Sequence, residues 1–193
     1  MLKDVLIKER DALSVLIETP EEQYEPIVSL LNHCKGKIVF MGVGKSAHIG
    51  KKLAATFSSL GIPSFFVHST EALHGDLGML EADDIAIFIS NSGETSEVLA
   101  SAYPIKARGI TTVAFTSGRD SSLSRLCDFS ILYPKLDEAD GNALAPTVSS
   151  TMTLALGDAI ACEISHRRGF TRDNFHEFHP GGALGHMLSQ EEN

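Results

Sequence analysis

Five short apolar segments recur through the middle of the chain, each rich in β-branched or aromatic residues. Their hydrophobicity is nearly continuous and does not alternate with polar positions, which is typical of strands buried on both faces of a parallel sheet. The candidate strands are 37–41, 64–67, 85–89, 111–115 and 129–132. Helices must then cover both faces of this sheet.

Apolar residues at helical spacing lie between and before these strands. Two leading helices are predicted, one over the segment from Val5 to Ile17 and one after Pro20. Further helices are predicted at 46–60, 95–108, 121–126 and 147–168. The alternation of strands and helices predicts an α/β protein, a three-layer doubly wound sandwich around a five-stranded parallel sheet, with a flavodoxin-like architecture.

A length of 193 residues favours one domain with one substantial core. We expect the helices of residues 1–34 to pack on a domain that spans 35–188, followed by a loose tail at 189–193. The chain has neither a repeat at solenoid spacing nor a Pro/Gly-rich linker, so the functional site is expected within this domain or between copies of it.

Composition narrows the class of protein. The net charge is -9 without a basic cluster, which argues against nucleic-acid binding. Three cysteines without a CxxC spacing suit reduced thiols and favour neither a disulfide framework nor a structural zinc site. No apolar run approaches the roughly 18 residues of a membrane span. We expect a soluble cytoplasmic protein that does not bind a membrane.

The loop after the first strand carries two glycines followed by Lys45 and Ser46. Glycines permit a tight turn, and a helix start can bind an anion. The loop is not a Walker A motif, since Val39 stands where that motif needs glycine, and Ala47 replaces the last glycine of GxGxxG. Gly44 and Ser46 are therefore candidate phosphate contacts, although such turns are often only structural.

The loop after the third strand is richer in hydroxyl groups. It reads Ser90, Asn91, Ser92, Gly93, Glu94, Thr95 and leads into a predicted helix. Hydroxyls and backbone N–H groups that converge on a helix N-terminus suit a phosphate monoester. The alternative is an ordinary helix cap, which explains one hydroxyl and leaves the others without a role.

Acid–base candidates lie in neighbouring loops. His74 and His179 both stand in glycine-containing loops, and Glu97 lies in the first turn of the helix that follows the phosphate loop. Each has an ordinary structural alternative. Glu138 lies in an acidic loop after the fifth strand, where the residues alone favour a hydrated surface carboxylate.

Several motifs occur in an order that resembles the sugar isomerase (SIS) domain family and, within it, the arabinose 5-phosphate isomerases. They cover roughly residues 35–188 and are the segments 44–52, 64–68, 74–79, 91–97, 144–147 and 179–185. Together they are specific at the level of the family. Most relatives continue into a tandem CBS module, so this chain is expected to be a single-domain form, and 139–143 departs from the family's usual sequence after Glu138.

The resemblance implies an aldose–ketose isomerase that interconverts D-ribulose 5-phosphate and D-arabinose 5-phosphate. It implies catalysis that needs neither a metal nor a cofactor, and assembly into a homotetramer. It also implies that the product feeds the synthesis of Kdo, an acidic sugar of Gram-negative lipopolysaccharide and some capsules. The family's catalytic residues fall on Lys45, His74, Glu97, Glu138 and His179. His179 is the first choice for the base, and which group takes the carbon-bound proton stays open.

Two alternatives remain at the level of sequence. A non-catalytic SIS module could sense a sugar phosphate or a nucleotide sugar, since a fold does not fix a chemistry. A different isomerase of the fold could act on a hexose or heptose phosphate. The two loop histidines and two candidate carboxylates favour an enzyme over a sensor.

Overall fold

The computed structural model describes residues 1–180. The glycine-rich segment after Pro180, the predicted domain end at 188 and the predicted tail at 189–193 lie outside the described residues. The domain boundary near residue 34 stays a prediction.

Five parallel strands form a single sheet, which confirms the predicted fold class. The strands are β1 (Ile38–Gly42), β2 (Ser64–His68), β3 (Ile85–Ile89), β4 (Thr111–Thr116) and β5 (Phe129–Leu132). Their order is β2-β1-β3-β4-β5, and all four pairings are parallel. This is the flavodoxin-like order.

The α-helices of residues 1–180 include all six that the sequence predicts and two short ones, at 69–72 and 172–178, that it does not predict. They are α1 (Leu2–Ile17), α2 (Glu25–Asn32), α3 (Gly44–Ser59), α4 (Ser69–Ala72), α5 (Ser96–Ala107), α6 (Ser122–Leu126), α7 (Val148–Arg167) and α8 (Arg172–Phe178). Short 3₁₀ turns occur at Glu21–Gln23 and Asp76–Met79. Both leading helices are confirmed. Among residues 1–180, no helix is long and apolar enough to cross a membrane.

Two apolar cores lie on opposite faces of the sheet. On one face, β-strand residues such as Phe40 pack against α1, α2, α3 and α7. On the other, their strand neighbours such as Met41 pack against α4, α5 and α6. This alternation follows from the period of two in a strand, and it explains why the strands are apolar throughout.

Helices α3 and α7 approach closely at Gly157. A β-carbon at this position would lie 2.5 Å from the side chain of Leu53, so only glycine fits without a shift. The N-terminal ends of both helices lie at the same edge of the sheet, because Ser46 of α3 and Ser149 of α7 line one pocket with Ile89 at the exit of β3.

The exits of β1 and β3 meet at the switch point of the sheet. After β1 the chain passes through α3 to β2, which lies at one edge of the sheet. After β3 it passes through α5 to β4, toward the other edge, and α5 covers the opposite face of the sheet from α3. Ligands of doubly wound sheets bind in the crevice that this divergence opens.

Candidate functional site

The predicted phosphate loop lies at the switch point. Ser90 follows β3 directly and is almost completely buried. Its hydroxyl lies 2.8 Å from that of Thr95 and accepts a hydrogen bond from the backbone N–H of Gly93 at 3.1 Å. The two hydroxyls thus close the loop from Ser90 to Thr95 around a tight turn.

Gly93 is the residue that permits this turn. Its φ of +68° lies in the left-handed region, and a β-carbon there would overlap the side chain of Ser121. The backbone N–H of Leu123 donates to the Gly93 carbonyl at 3.0 Å, and that of Ser122 donates to the Glu94 carboxylate at 2.8 Å. The loop is therefore fixed to α6.

The helices on either side of the switch point begin without side-chain caps. Neither Val43 before α3 nor Thr95 before α5 accepts a capping hydrogen bond through its side chain. The hydroxyl of Thr95 is directed to Ser90 instead. The first backbone N–H groups of a helix need a partner, and an anion satisfies them. Helices α1, α2 and α7 also begin without such a cap, so the loop hydroxyls beside α3 and α5 are what favour an anion site here.

Asn91 connects the phosphate loop to the exits of β4 and β5. Its Oδ1 accepts a hydrogen bond from Tyr133 Oη at 3.0 Å, and Ser117 Oγ lies 2.9 Å from Oδ1 and 2.8 Å from the Asn91 backbone carbonyl. Its backbone carbonyl accepts a hydrogen bond from Ser117 N at 3.1 Å. A small pocket of about 40 Å³ opens beside Asn91, and Ser46, Tyr133, Ser149 and Ser150 are among its lining residues.

Lys45, Glu97 and His74 lie at the same edge of the sheet and are exposed. Lys45 lies in the first turn of α3 and makes no ion pair within residues 1–180. Glu97 lies in the first turn of α5, where its own backbone N–H and Ser96 Oγ donate to it and lower the pKa of its carboxyl. His74 follows α4 after the edge strand β2.

Glu138 is buried, contrary to the hydrated carboxylate that its loop alone suggests. It accepts hydrogen bonds from the backbone N–H groups of Thr147 at 2.7 Å and Ser149 at 3.2 Å, and from both hydroxyls. Burial acts to raise the pKa of Glu138, but these hydrogen bonds outweigh it and hold the pKa below its usual value. Glu138 is therefore an ionised carboxylate at the start of α7.

His179 lies far from the phosphate loop of its own chain. The ring of Phe178 stacks on Phe170 at 5.9 Å, and Phe170 packs against Gly61, which follows the C-terminal end of α3. Helix α3 has 16 residues and is about 24 Å long. Since α3 begins at the switch point, His179 lies toward the opposite edge of the sheet. Its Nδ1 is 2.8 Å from the Phe175 carbonyl.

The sequence patterns did not identify Tyr133, Ser117 and Ser149 as site residues. Tyr133 directly follows an apolar strand and resembles an ordinary core residue, and Ser149 lies inside a long helical pattern. The available signal was positional, because Ser117 and Tyr133 follow the carboxyl ends of strands, where ligands bind. Within residues 1–180, no group of three or more His, Cys, Asp or Glu side chains could hold a metal ion.

Comparison with known proteins gives consistent matches. The SIS domain family profile matches residues 30–162. The chain is 46% identical over 186 residues to proteins named arabinose 5-phosphate isomerase KdsD from Shigella flexneri and from Escherichia coli strain K12. These alignments cover 96% of this chain and 57% of each relative, so the chain spans little more than half of their length.

A solved structure also matches almost the whole fold. It is the c3406 protein of E. coli CFT073 in complex with arabinose 5-phosphate, is 47% identical, and has a TM-score of 0.91 over 93% of this chain and 95% of that one. The family match over more than half of the sequence, together with this level of identity, establishes that the chain belongs to the SIS domain family.

Proposed function

We propose that the protein is an isomerase that interconverts D-arabinose 5-phosphate and D-ribulose 5-phosphate. The single observation that carries this proposal is the pair of hydroxyls of Ser90 and Thr95, 2.8 Å apart in the loop between β3 and the start of α5 at the switch point. The similarity to proteins named arabinose 5-phosphate isomerase, and to a structure in complex with that sugar phosphate, supports this choice of substrate.

The phosphate group is bound by Ser46, Ser90, Ser92 and Thr95 together with backbone N–H groups of the loop and the two helix starts. Gly44 and Gly93 keep the backbone close to the anion, and Asn91 adds a polar contact. Binding energy from this remote group positions the carbonyl end of the sugar against the acid–base residues. Lys45 adds positive charge beside the phosphate or the developing enediolate.

The reaction moves a proton between C1 and C2 through an enediol. It needs a base for the carbon-bound proton and an acid that moves protons between the two oxygens. His179 is the proposed base, and His74 contacts substrate hydroxyls. Glu97 either orients another acid–base residue of the site or itself transfers protons in the reaction. Glu138, ionised and engaged by four donors, orients the start of α7 and its serines rather than transferring a proton.

A base at His179 requires a second copy of the chain, because this residue lies toward the opposite edge of the sheet from its own phosphate loop. We propose that His179 of one copy completes the site of another in a homotetramer. The exposed apolar side chains of α1, among them Leu2, Leu6 and Ile7, offer a surface for such contacts. Oligomeric state is measured directly by light scattering.

We propose that the protein acts in the cytoplasm and that its product enters a pathway there. The name KdsD of the relatives supports a role in supplying Kdo synthesis for lipopolysaccharide or capsule. The chemistry assigned to these side chains needs neither a metal nor an organic cofactor, and activity is therefore expected to persist in a chelator.

The test of this function is an assay of the purified protein against a panel of sugar phosphates, with a chelator present. Ketose formation from D-arabinose 5-phosphate, and much less from hexose phosphates, is the expected result. Turnover of only a hexose or heptose phosphate would replace the proposed substrate. Tight binding of a sugar phosphate without turnover would instead identify a sensor.

A further inference from the structure

Asn91 is held by hydroxyl groups from two neighbouring strand exits. Tyr133 Oη donates to its Oδ1 at 3.0 Å. The single proton of Ser117 Oγ is shared between Oδ1 at 2.9 Å and the Asn91 backbone carbonyl at 2.8 Å. An amide oxygen has two lone pairs, and here Tyr133 Oη donates to one of them while Ser117 Oγ lies within hydrogen-bond distance of the same oxygen. The orientation of the amide is thereby set, and its NH₂ group is directed away from Tyr133 and Ser117.

The NH₂ group of Asn91 is the unused half of this amide. Within residues 1–180, Nδ2 of Asn91 has no hydrogen-bond partner. It does not belong to the buried polar atoms that lack a partner, so it is accessible from the pocket or from solvent. Asn91 lines the small pocket that also contains Ser46 and Ser149. A donor at this point suits an oxygen atom of an anionic ligand held by the neighbouring loop.

Tyr133 is well suited to fix another side chain. It is 4% exposed, and its ring packs edge-to-face against Phe115 with 5.9 Å between centroids. A tyrosine has few rotatable bonds, so a packed ring holds its hydroxyl in one place. Burial raises the pKa of Tyr133 to about 12, which keeps the phenol protonated and able to donate at neutral pH.

We propose that Tyr133 is a positioning residue for substrate binding: together with Ser117 it orients the amide of Asn91 so that its NH₂ group donates to an oxygen of the bound sugar phosphate. The identity of the ligand rests on the proposed function. Tyr133 itself does not touch the ligand and acts through Asn91.

A purely structural role for Tyr133 predicts a different result. If Tyr133 only fills the core, its hydroxyl matters for stability and not for the ligand. If it acts through Asn91, then removing its hydroxyl weakens ligand binding only while Asn91 is present. A double-mutant cycle separates the two roles because it measures this dependence directly.

The experiment compares wild type, Tyr133→Phe, Asn91→Ala and the double variant. Binding of D-arabinose 5-phosphate and of inorganic phosphate is measured by calorimetry, with KM, kcat and Tm alongside. Tyr24→Phe is the matched control, because its hydroxyl also donates one hydrogen bond near the end of β5, to the Leu132 carbonyl at 3.1 Å. This control is expected to leave affinity and KM unchanged.

We expect Tyr133→Phe to weaken binding of the sugar phosphate about fivefold, as the loss of one hydrogen bond predicts. KM should rise by a similar factor, with a smaller change in kcat. In the Asn91→Ala background the same change should alter affinity less than about twofold.

Equal losses in both backgrounds, or a lower Tm with unchanged affinity, would overturn the proposal. If wild type binds inorganic phosphate but isomerises nothing, the proposed function fails while the phosphate measurements still decide the role of Tyr133. If wild type binds neither probe, both proposals fail together.

Discussion

Glu138 accepts two hydrogen bonds from Thr147, one from the backbone N–H at 2.7 Å and one from the hydroxyl at 3.1 Å. The pair fixes the loop after β5 to the start of α7. A carboxylate at a helix N-terminus also interacts favourably with the helix dipole. Glu138 therefore holds Ser149 beside the pocket, and its negative charge contributes to stability.

The charge of Glu138 makes stability depend on pH. The pKa of Glu138 is lower in the folded protein than in the unfolded chain, so its stabilisation is present above the ordinary pKa of glutamate. That stabilisation is lost as the pH falls through the lower, folded pKa. We expect Glu138→Gln to reduce the free energy of unfolding at pH 7 by about 1 kcal/mol and to flatten its decline on acidification.

Denaturant unfolding at a series of pH values checks this prediction. The control is Asp137→Asn, which removes an exposed carboxylate from the adjacent position. It should leave the curve close to wild type. An acid limb in Glu138→Gln that is as steep as in wild type would contradict the assignment.

The hydroxyls of Ser90 and Thr95 are expected to carry phosphate affinity. Replacing both with alanine removes two donors to a charged ligand, and affinity for D-arabinose 5-phosphate should fall on the order of 100-fold. Calorimetry measures this loss, and circular dichroism verifies the fold. Ser58→Ala, which removes the hydroxyl that donates to the Ser64 carbonyl, serves as the control. Unchanged affinity in the double variant would exclude these hydroxyls as ligand contacts.

Gly93 and Gly109 offer a matched pair of substitutions. Both have a positive φ, but a β-carbon at Gly93 would overlap Ser121, whereas the space around Gly109 is open. Alanine in this conformation costs about 1–2 kcal/mol in either case. Gly93→Ala should also distort the loop and abolish ligand binding, while Gly109→Ala should lower Tm and retain binding. Equal binding by the two variants would contradict the role of this turn.

A shared site predicts complementation between subunits. His179→Ala and the Ser90→Ala/Thr95→Ala variant are each expected to lose activity on the order of 100-fold or more. When they are unfolded together and reassembled, mixed oligomers contain sites with an intact loop from one copy and an intact His179 from another. Activity should then exceed the sum of the separate samples. A strictly additive result would assign each site to a single chain.

The sequence predicted the sheet well because its signals are local. Continuous apolar strands, each followed by a polar loop, identify the strands within one residue of their observed ends and place Ser90 and Thr95 at a strand exit. Tyr133 was not predicted as a site residue, because a tyrosine next to an apolar run is usually explained by packing in the core. Its partner Asn91 is 42 residues away, and that contact depends on the order of the strands.

The carboxylate and histidine assignments required more than local pattern. Nothing in the loop around Glu138 indicates that it is buried, since its donors Thr147 and Ser149 come from the next helix. The distance of His179 from the loop depends on the direction in which the chain leaves α7. Such relationships arise from tertiary packing, which hydrophobic periodicity does not encode.

The isomerase activity is measured by following D-arabinose 5-phosphate in deuterated water with purified protein and a chelator. We expect formation of D-ribulose 5-phosphate and, as the reaction reverses, deuterium at C2 of the recovered aldose, because the base that takes the carbon-bound proton exchanges it with solvent. Binding of D-arabinose 5-phosphate without ketose formation or exchange would contradict the isomerase assignment and identify the protein as a sugar-phosphate sensor.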